Sequence, residues 1–135
     1  METTMYEKKI KSDVFCPISY GLGMIDGKWK SRIICVMSQM HPIRYGELKS
    51  EMANITDTAL ANALRELERD GLILRHQYNE MPIRVEYELT EKGQKIVPIL
   101  LLIADWANGD MPLDKRRGDM PLCMQCRYND AGQGD

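Results

Sequence analysis

Four cysteines, Cys16, Cys35, Cys123 and Cys126, carry the most reactive side chains of this 135-residue chain. Cys16 stands directly before Pro17, and proline suits the first position of a helix because its missing N–H costs nothing there. A thiol beside a helix N-terminus has its thiolate form stabilised by the local field, and Lys11 adds a positive charge nearby in sequence. Cys16 is therefore a candidate for oxidation or attack on an electrophile; its other reading is an inert thiol packed between subunits. Cys35 falls on a mostly apolar stretch and reads as packing. Cys123-Met124-Gln125-Cys126 has the spacing of half a zinc site or of a redox dithiol. A full site needs about two more ligands. None follows in the chain, and His41 and His76 are remote. Zinc shared between two copies, a redox pair and unreactive tail residues all stay open. No metal site and no cofactor are assigned.

Catalysis is not expected. Neither histidine has a nucleophile or carboxylate beside it, and no glycine-rich phosphate loop occurs. The carboxylates Asp57, Glu66 and Asp70 are better read as a charged helix surface. The net charge of −2 gives no overall basic field of the kind that marks many nucleic-acid binders. Binding to DNA would therefore need the basic residues gathered on one face. The N-terminus lacks the apolar stretch of a secretory signal, and no apolar run reaches the length of about 18 residues that spans a bilayer. A cytoplasmic protein without a membrane partner is expected.

The elements that would position these groups follow from spacing. Residues 1–14 are polar and read as a loose arm. A helix opens at Pro17 with Ile18, Leu22 and Ile25 as a rough apolar stripe, and Gly27 ends it. A second helix is predicted from Lys28 to Met37, with Trp29, Ile33, Val36 and Met37 inward. His41-Pro42 breaks it, Ile43-Arg44 reads as a short strand, and Tyr45 to Met52 as a short helix with Leu48 inward. The helix from Thr56 to Asp70 is the best defined: Thr56 can cap it, Leu60, Leu64 and Leu67 share one side, and Gly71 ends it. Two strands, 73–78 and 85–89, flank the loop 79–83. Val85, Tyr87 and Leu89 alternate with Glu86 and Glu88, the signature of a half-buried strand. A long helix from Thr90 to Trp106 is apolar on nearly every side. Such a helix must be covered all round, which points to a subunit interface involving Ile18, Leu22, Ile99, Leu100, Ile103 and Trp106. A tail folding back over it is the other reading. Residues 108–135 read as a polar tail that carries the Cys-x-x-Cys pair.

Two short helices joined by the turn Ala53-Asn54-Ile55 and followed by a β-hairpin make a winged helix-turn-helix. The fold class is thus α+β, a winged helix over 15–107 with additional N- and C-terminal dimerisation helices. The second helix of such a pair fits the major groove of duplex DNA. Thr56, Asp57, Thr58, Ala61, Asn62, Arg65 and Arg69 fall at its start or opposite its leucines and are the candidate contacts. Arg65 suits guanine or phosphate and Asn62 adenine. Thr58 suits base or phosphate. Asp57 suits cytosine or simply favours the helix N-terminus.

The run from Cys16 to Trp106 resembles the HxlR-type winged helix regulators of bacteria and archaea. The resemblance rests on Cys16-Pro17, Gly27-Lys28-Trp29-Lys30, Ile43-Arg44-Tyr45 with Glu47-Leu48, Ile55-Thr56, Leu60, and the run Leu64 to Ile73. It continues through Pro82, the run Arg84 to Gly93, and Trp106. It implies a homodimer joined through terminal helices that regulates transcription from a pseudo-palindromic operator. It also implies that Arg84 is the basic wing residue, and that Lys28 and Lys30 bring charge near phosphate. In some relatives a cysteine at the place of Cys16 senses oxidants or electrophiles, so thiol modification or a small effector is the implied signal. Two departures stand out. Gly46 occupies a place where relatives often carry a capping serine. Asp57-Thr58-Ala59 opens the reading helix where they often have a basic or amide residue. A winged helix used only for protein assembly is the rival reading.

Overall fold

The structure, a computed structural model, describes residues 16–52 and 54–108. The arm expected at 1–14, the tail with Cys123 and Cys126, and Ala53 of the expected turn lie outside the described residues. In chain order the elements are α1 (Pro17–Ile25), α2 (Lys30–Gln39), β1 (Ile43–Arg44), α3 (Tyr45–Glu51), α4 (Asp57–Arg69), β2 (Ile73–Tyr78), β3 (Arg84–Leu89) and α5 (Glu91–Asn108). This is the expected α+β winged helix-turn-helix.

Local chemistry explains the boundaries. Cys16 caps α1, with the Ser19 N–H donating to its Sγ at 3.4 Å, and Pro17 takes the first helical position. Gly27, at φ +94°, turns the chain into α2, a conformation glycine adopts without a Cβ clash. That turn delays α2, which begins at Lys30 rather than Lys28, with Trp29 at the N-cap position making no side-chain capping bond. The cap of α3 also differs from expectation. Gly46 lies inside the first turn, and the cap is Arg44, whose N–H donates to Glu47 Oε1 at 2.9 Å.

α4 starts as expected: Thr56 Oγ1 accepts from the Ala59 N–H at 3.1 Å. At its other end the Leu72 N–H donates to the Leu67 carbonyl and the Gly71 N–H to the Glu68 carbonyl. These two bonds form a Schellman cap, which needs a left-handed residue; Gly71 supplies it at φ +77°. Leu60, Ala63, Leu64 and Leu67 are buried. A fully buried leucine contributes about 1.5–3 kcal/mol, against about 1 kcal/mol for an N-cap. Packing therefore fixes where α4 lies, and the caps fix where it starts and stops.

The three strands are antiparallel in the order β1-β3-β2. The register pairs Ile73 with Leu89, Arg75 with Tyr87, and Tyr78 with Arg84. Since side chains alternate, Ile43, Ile73, Arg75, Gln77, Val85, Tyr87 and Leu89 share the inner face. Leu74, His76, Tyr78, Arg84, Glu86 and Glu88 share the outer one. The core is centred on α2, whose Ile33, Ile34, Val36 and Met37 are buried against Leu48, Met52, Leu60, Leu67, Ile73 and Leu89. α5 packs on α2 through Ile96, Val97 and Leu100. Leu100, expected at a subunit interface, is partly buried against the protein's own core. Ile18 and Leu22 do not join Ile25 inside; both are exposed and only Ile25 of that stripe is buried.

The end of α4 is fastened to the start of α5. Thr90 donates its N–H to the Leu72 carbonyl at 3.0 Å and its hydroxyl to the Gly71 carbonyl at 2.7 Å. Lys92 Nζ donates to the Asp70 carbonyl at 2.8 Å. The Gly93 N–H donates to Thr90 Oγ1, which caps α5.

Candidate nucleic-acid interface

With its leucines inward, α4 turns Thr56, Asp57, Thr58, Asn62, Arg65 and Arg69 to the surface, and Ala61 is half-buried among them. Several of these side chains are already engaged. Asp57 accepts from the Tyr45 hydroxyl at 2.9 Å and pairs with Lys49 at 3.0 Å. Hydrogen bonding from Lys49 first, and from Tyr45 second, holds its carboxyl below the usual range. The Tyr45 phenol is pushed up, by burial first and then by the Asp57 carboxylate. Asp57 is thus a strut between α3 and α4 as well as a favourable charge at the helix N-terminus. Arg65 donates to Asn62 Oδ1 along the helix, so the two side chains expected to meet base edges are aligned side by side. Arg69 pairs with Asp70 at 3.5 Å.

The basic residues outside α4 divide sharply. Lys30 is 8% exposed and holds Glu66 of α4 at 2.8 Å. Its expected approach to phosphate is corrected: one turn before the buried Ile33 and Ile34, it lies on the inner face of α2 and braces α4 from behind. Lys28 is exposed, with its ammonium 4.8 Å from the centre of the Trp29 ring. Arg84 lies at the start of β3 on the outer face of the wing. It bonds to Glu80 at 2.8 Å and to Glu86, and stacks 4.0 Å from the centre of the Tyr78 ring. Those carboxylates, Glu80 above all, make its guanidinium still harder to deprotonate. Two carboxylates therefore balance the charge expected to serve the wing. His76, on the same face, meets Glu88 at 2.8 Å.

Spacing had not singled out Arg75, on the inner face of β2, although the alternation that buries Ile73 also places Arg75 on that face. Together with Tyr45, Ala61, Leu64, Arg65, Glu68 and Tyr87 it lines a groove of about 350 Å³ between α4 and the sheet.

The exposed apolar side chains form a second feature. On α5, Ile99, Leu102, Ile103 and Trp106 recur at helical spacing and are exposed, Trp106 to 80%. On α1, Ile18 is 72% exposed, with Tyr20 and Leu22 also open. Cys16 is exposed at the head of α1, and Cys35 is half-buried on α2. Among the described residues no cluster of three or more His, Cys, Asp or Glu is placed to hold a metal ion. Nor is any helix long and apolar enough to cross a membrane.

A protein-family model described as HxlR-like helix-turn-helix matches residues 24–115. The chain belongs to the HxlR-like helix-turn-helix family. It is 41% identical over 106 residues to an uncharacterised HTH-type transcriptional regulator of Halalkalibacterium halodurans, an alignment covering 78% of this chain and 94% of that one. Among solved structures it is similar to the redox regulator HypR in its oxidised form, with 36% identity and a TM-score of 0.66 over 73% of this chain and all of that one. It is also similar to the reduced form of the transcriptional regulator YodB from B. subtilis, with 29% identity and a TM-score of 0.63 over 70% and 93% of the two chains. The protein is a transcriptional regulator with a helix-turn-helix DNA-binding fold, and its relatives are regulators rather than enzymes.

Proposed function

We propose that the protein acts as a homodimer that reads a pseudo-palindromic operator with α4, and that thiol modification or a small effector controls it. The observation that carries this reading is the division of the surface. α4 presents Thr58, Ala61, Asn62 and Arg65 outward on one side, while α1 and α5 present unpartnered apolar faces. Exposed apolar faces of this kind mark association sites. Two copies joined through them would carry their α4 helices into successive major grooves, about one helical turn apart. The operator is expected to be found upstream of the regulator's own gene or its neighbours. Selective binding of the purified protein to those fragments tests this.

Arg65→Ala is expected to weaken operator binding by about 30-fold or more, since each base or phosphate contact is worth about 1–3 kcal/mol and a dimer loses two. The dimer should persist, as Arg65 is an exposed residue of α4 and not part of the apolar faces of α1 and α5. Unchanged affinity at matched salt would mean that α4 is presented in another orientation.

Control by thiols rests on Cys16. Its Sγ accepts a backbone N–H at a helix N-terminus, which favours thiolate, and α1 carries part of the apolar face. HypR is described as a redox regulator. Oxidation at Cys16 would disturb the joint between the two heads and so their spacing. Cys16→Ser is expected to leave DNA binding intact and to abolish its response to a thiol oxidant. A retained response would transfer the role to Cys35 or to the pair Cys123 and Cys126.

The assembly-module reading gains one observation: the charges of Lys30 and Arg84 are balanced inside the protein. Salt dependence separates the two readings, because only phosphate contacts release counterions from a duplex.

A further inference from the structure

We infer that Arg75 on β2 and Arg65 on α4 together grip one DNA-backbone phosphate in the groove between reading helix and wing, and that Arg84 does not serve as the wing's phosphate contact. The inference rests on the operator-binding reading and assigns its wing contact to a particular residue.

Three observations point this way. First, availability differs. Arg84 is shared between Glu80 and Glu86 and stacked on Tyr78, so a phosphate would have to displace two carboxylates. Among the described residues no ion pair or hydrogen bond occupies the Arg75 guanidinium. Second, the faces differ. The register pairs Arg75 with Tyr87 on the inner side of the hairpin, the side that looks toward α4. Arg84 is paired with Tyr78 on the outer side. Arg75 is exposed on that inner side and lines the groove beside α4. Third, the groove has matching charge. At about 350 Å³ it is lined by Arg65 and Arg75 with a single carboxylate, Glu68, and the neutral side chains of Tyr45, Ala61, Leu64 and Tyr87. Two guanidinium groups and one carboxylate leave one net positive charge, which matches one phosphodiester. Glu68 disfavours a second phosphate. Arginine forks suit phosphate oxygens in bidentate geometry, and contacts of this class set register on the duplex without reading sequence.

The test compares Arg75→Gln, Arg75→Lys and Arg84→Gln with the wild type. Each is titrated with a labelled random-sequence duplex of about 30 base pairs, three helical turns, across a range of salt concentrations. Each phosphate contact contributes about 0.9 to the slope of log affinity against log salt. The Arg75→Gln dimer, which loses one contact per head, should lose about two from that slope and bind at least tenfold more weakly at low salt. Arg75→Lys should restore the slope, because it keeps the charge. Arg84→Gln should keep the wild-type slope. A wild-type slope in Arg75→Gln overturns the grip and leaves the operator reading standing, as does a reduced slope in Arg84→Gln. A wild-type protein that binds no duplex overturns both. Inorganic phosphate supplies the last arm. Saturable phosphate binding that Arg75→Gln abolishes, with its duplex slope unchanged, assigns the groove to a small anion and overturns the backbone contact.

Discussion

Gly93→Ala is expected to destabilise the fold by about 3 kcal/mol or more, at or above the upper end of ordinary overpacking costs. A Cβ built on Gly93 would lie 2.1 Å from the Leu72 carbonyl oxygen and 3.1 Å from its carbon. Both are backbone atoms, so no side-chain rotation relieves the contact. That carbonyl is also the acceptor for the Thr90 N–H at 3.0 Å, and Leu72 closes the Schellman cap of α4. To admit the methyl group, α5 must move off the end of α4 and disturb Thr90 and Lys92 with it. In urea unfolding the midpoint should fall well below the wild type with an unchanged slope. A shift under about 0.5 kcal/mol would show that α5 yields as a body at this joint. The same joint ties the end of α4 to the start of α5, the helix that carries the exposed apolar stripe.

Gly93 stands in a helix start with ordinary helical neighbours, and only the tertiary approach of the Leu72 carbonyl makes its missing side chain matter. What spacing does reveal is which side of an element faces in. The leucines of α4 and the alternation in β3 were legible because one buried face imposes its own period on the sequence. Partner choice was not legible. Lys30 and Glu66 are far apart in the chain, and only the packing of α2 on α4 brings them together. Arg84 looked like a cation available to DNA because sequence shows charges one at a time. The hairpin bends Glu80 back onto it and its own strand brings Glu86 alongside. Arg75 was readable in principle: the period-2 argument that buries Ile73 and Tyr87 puts it on the side facing α4. The apolar excess of the last helix was legible as a need for cover, but its division into two sides was not. Ile96, Val97 and Leu100 satisfy the protein's own core, and Ile99, Leu102, Ile103 and Trp106 remain.

That division makes the proposed interface testable without unfolding the subunit. The double variant Ile99→Asp, Leu102→Asp is expected to be a folded monomer. Both side chains are exposed in the single chain, Leu102 to 68%, so the core on the other side of α5 keeps its contacts. In a dimer the same positions would bury two carboxylates per copy, and an unpaired buried charge costs several kcal/mol. The loss of two apolar side chains per copy adds about 1.5–3 kcal/mol for each one buried. Sedimentation should therefore show one subunit per particle at concentrations where the proposed wild-type dimer shows two. The effect on DNA should be larger than that of any single contact. Joining two heads makes the second half-site an intramolecular partner, a gain of about 10²–10⁴ in affinity. Operator binding should fall by about that factor, while weak binding to an isolated half-site survives because α4 and the groove beside it are untouched. A carboxylate placed instead at Gln94, exposed nearer the start of α5 and outside the stripe, should change neither property. If the double variant remains dimeric with full operator affinity, the subunits meet elsewhere. The exposed stripe of α5 would then need another occupant, and the spacing of the two heads would have to be set through a different pair of elements.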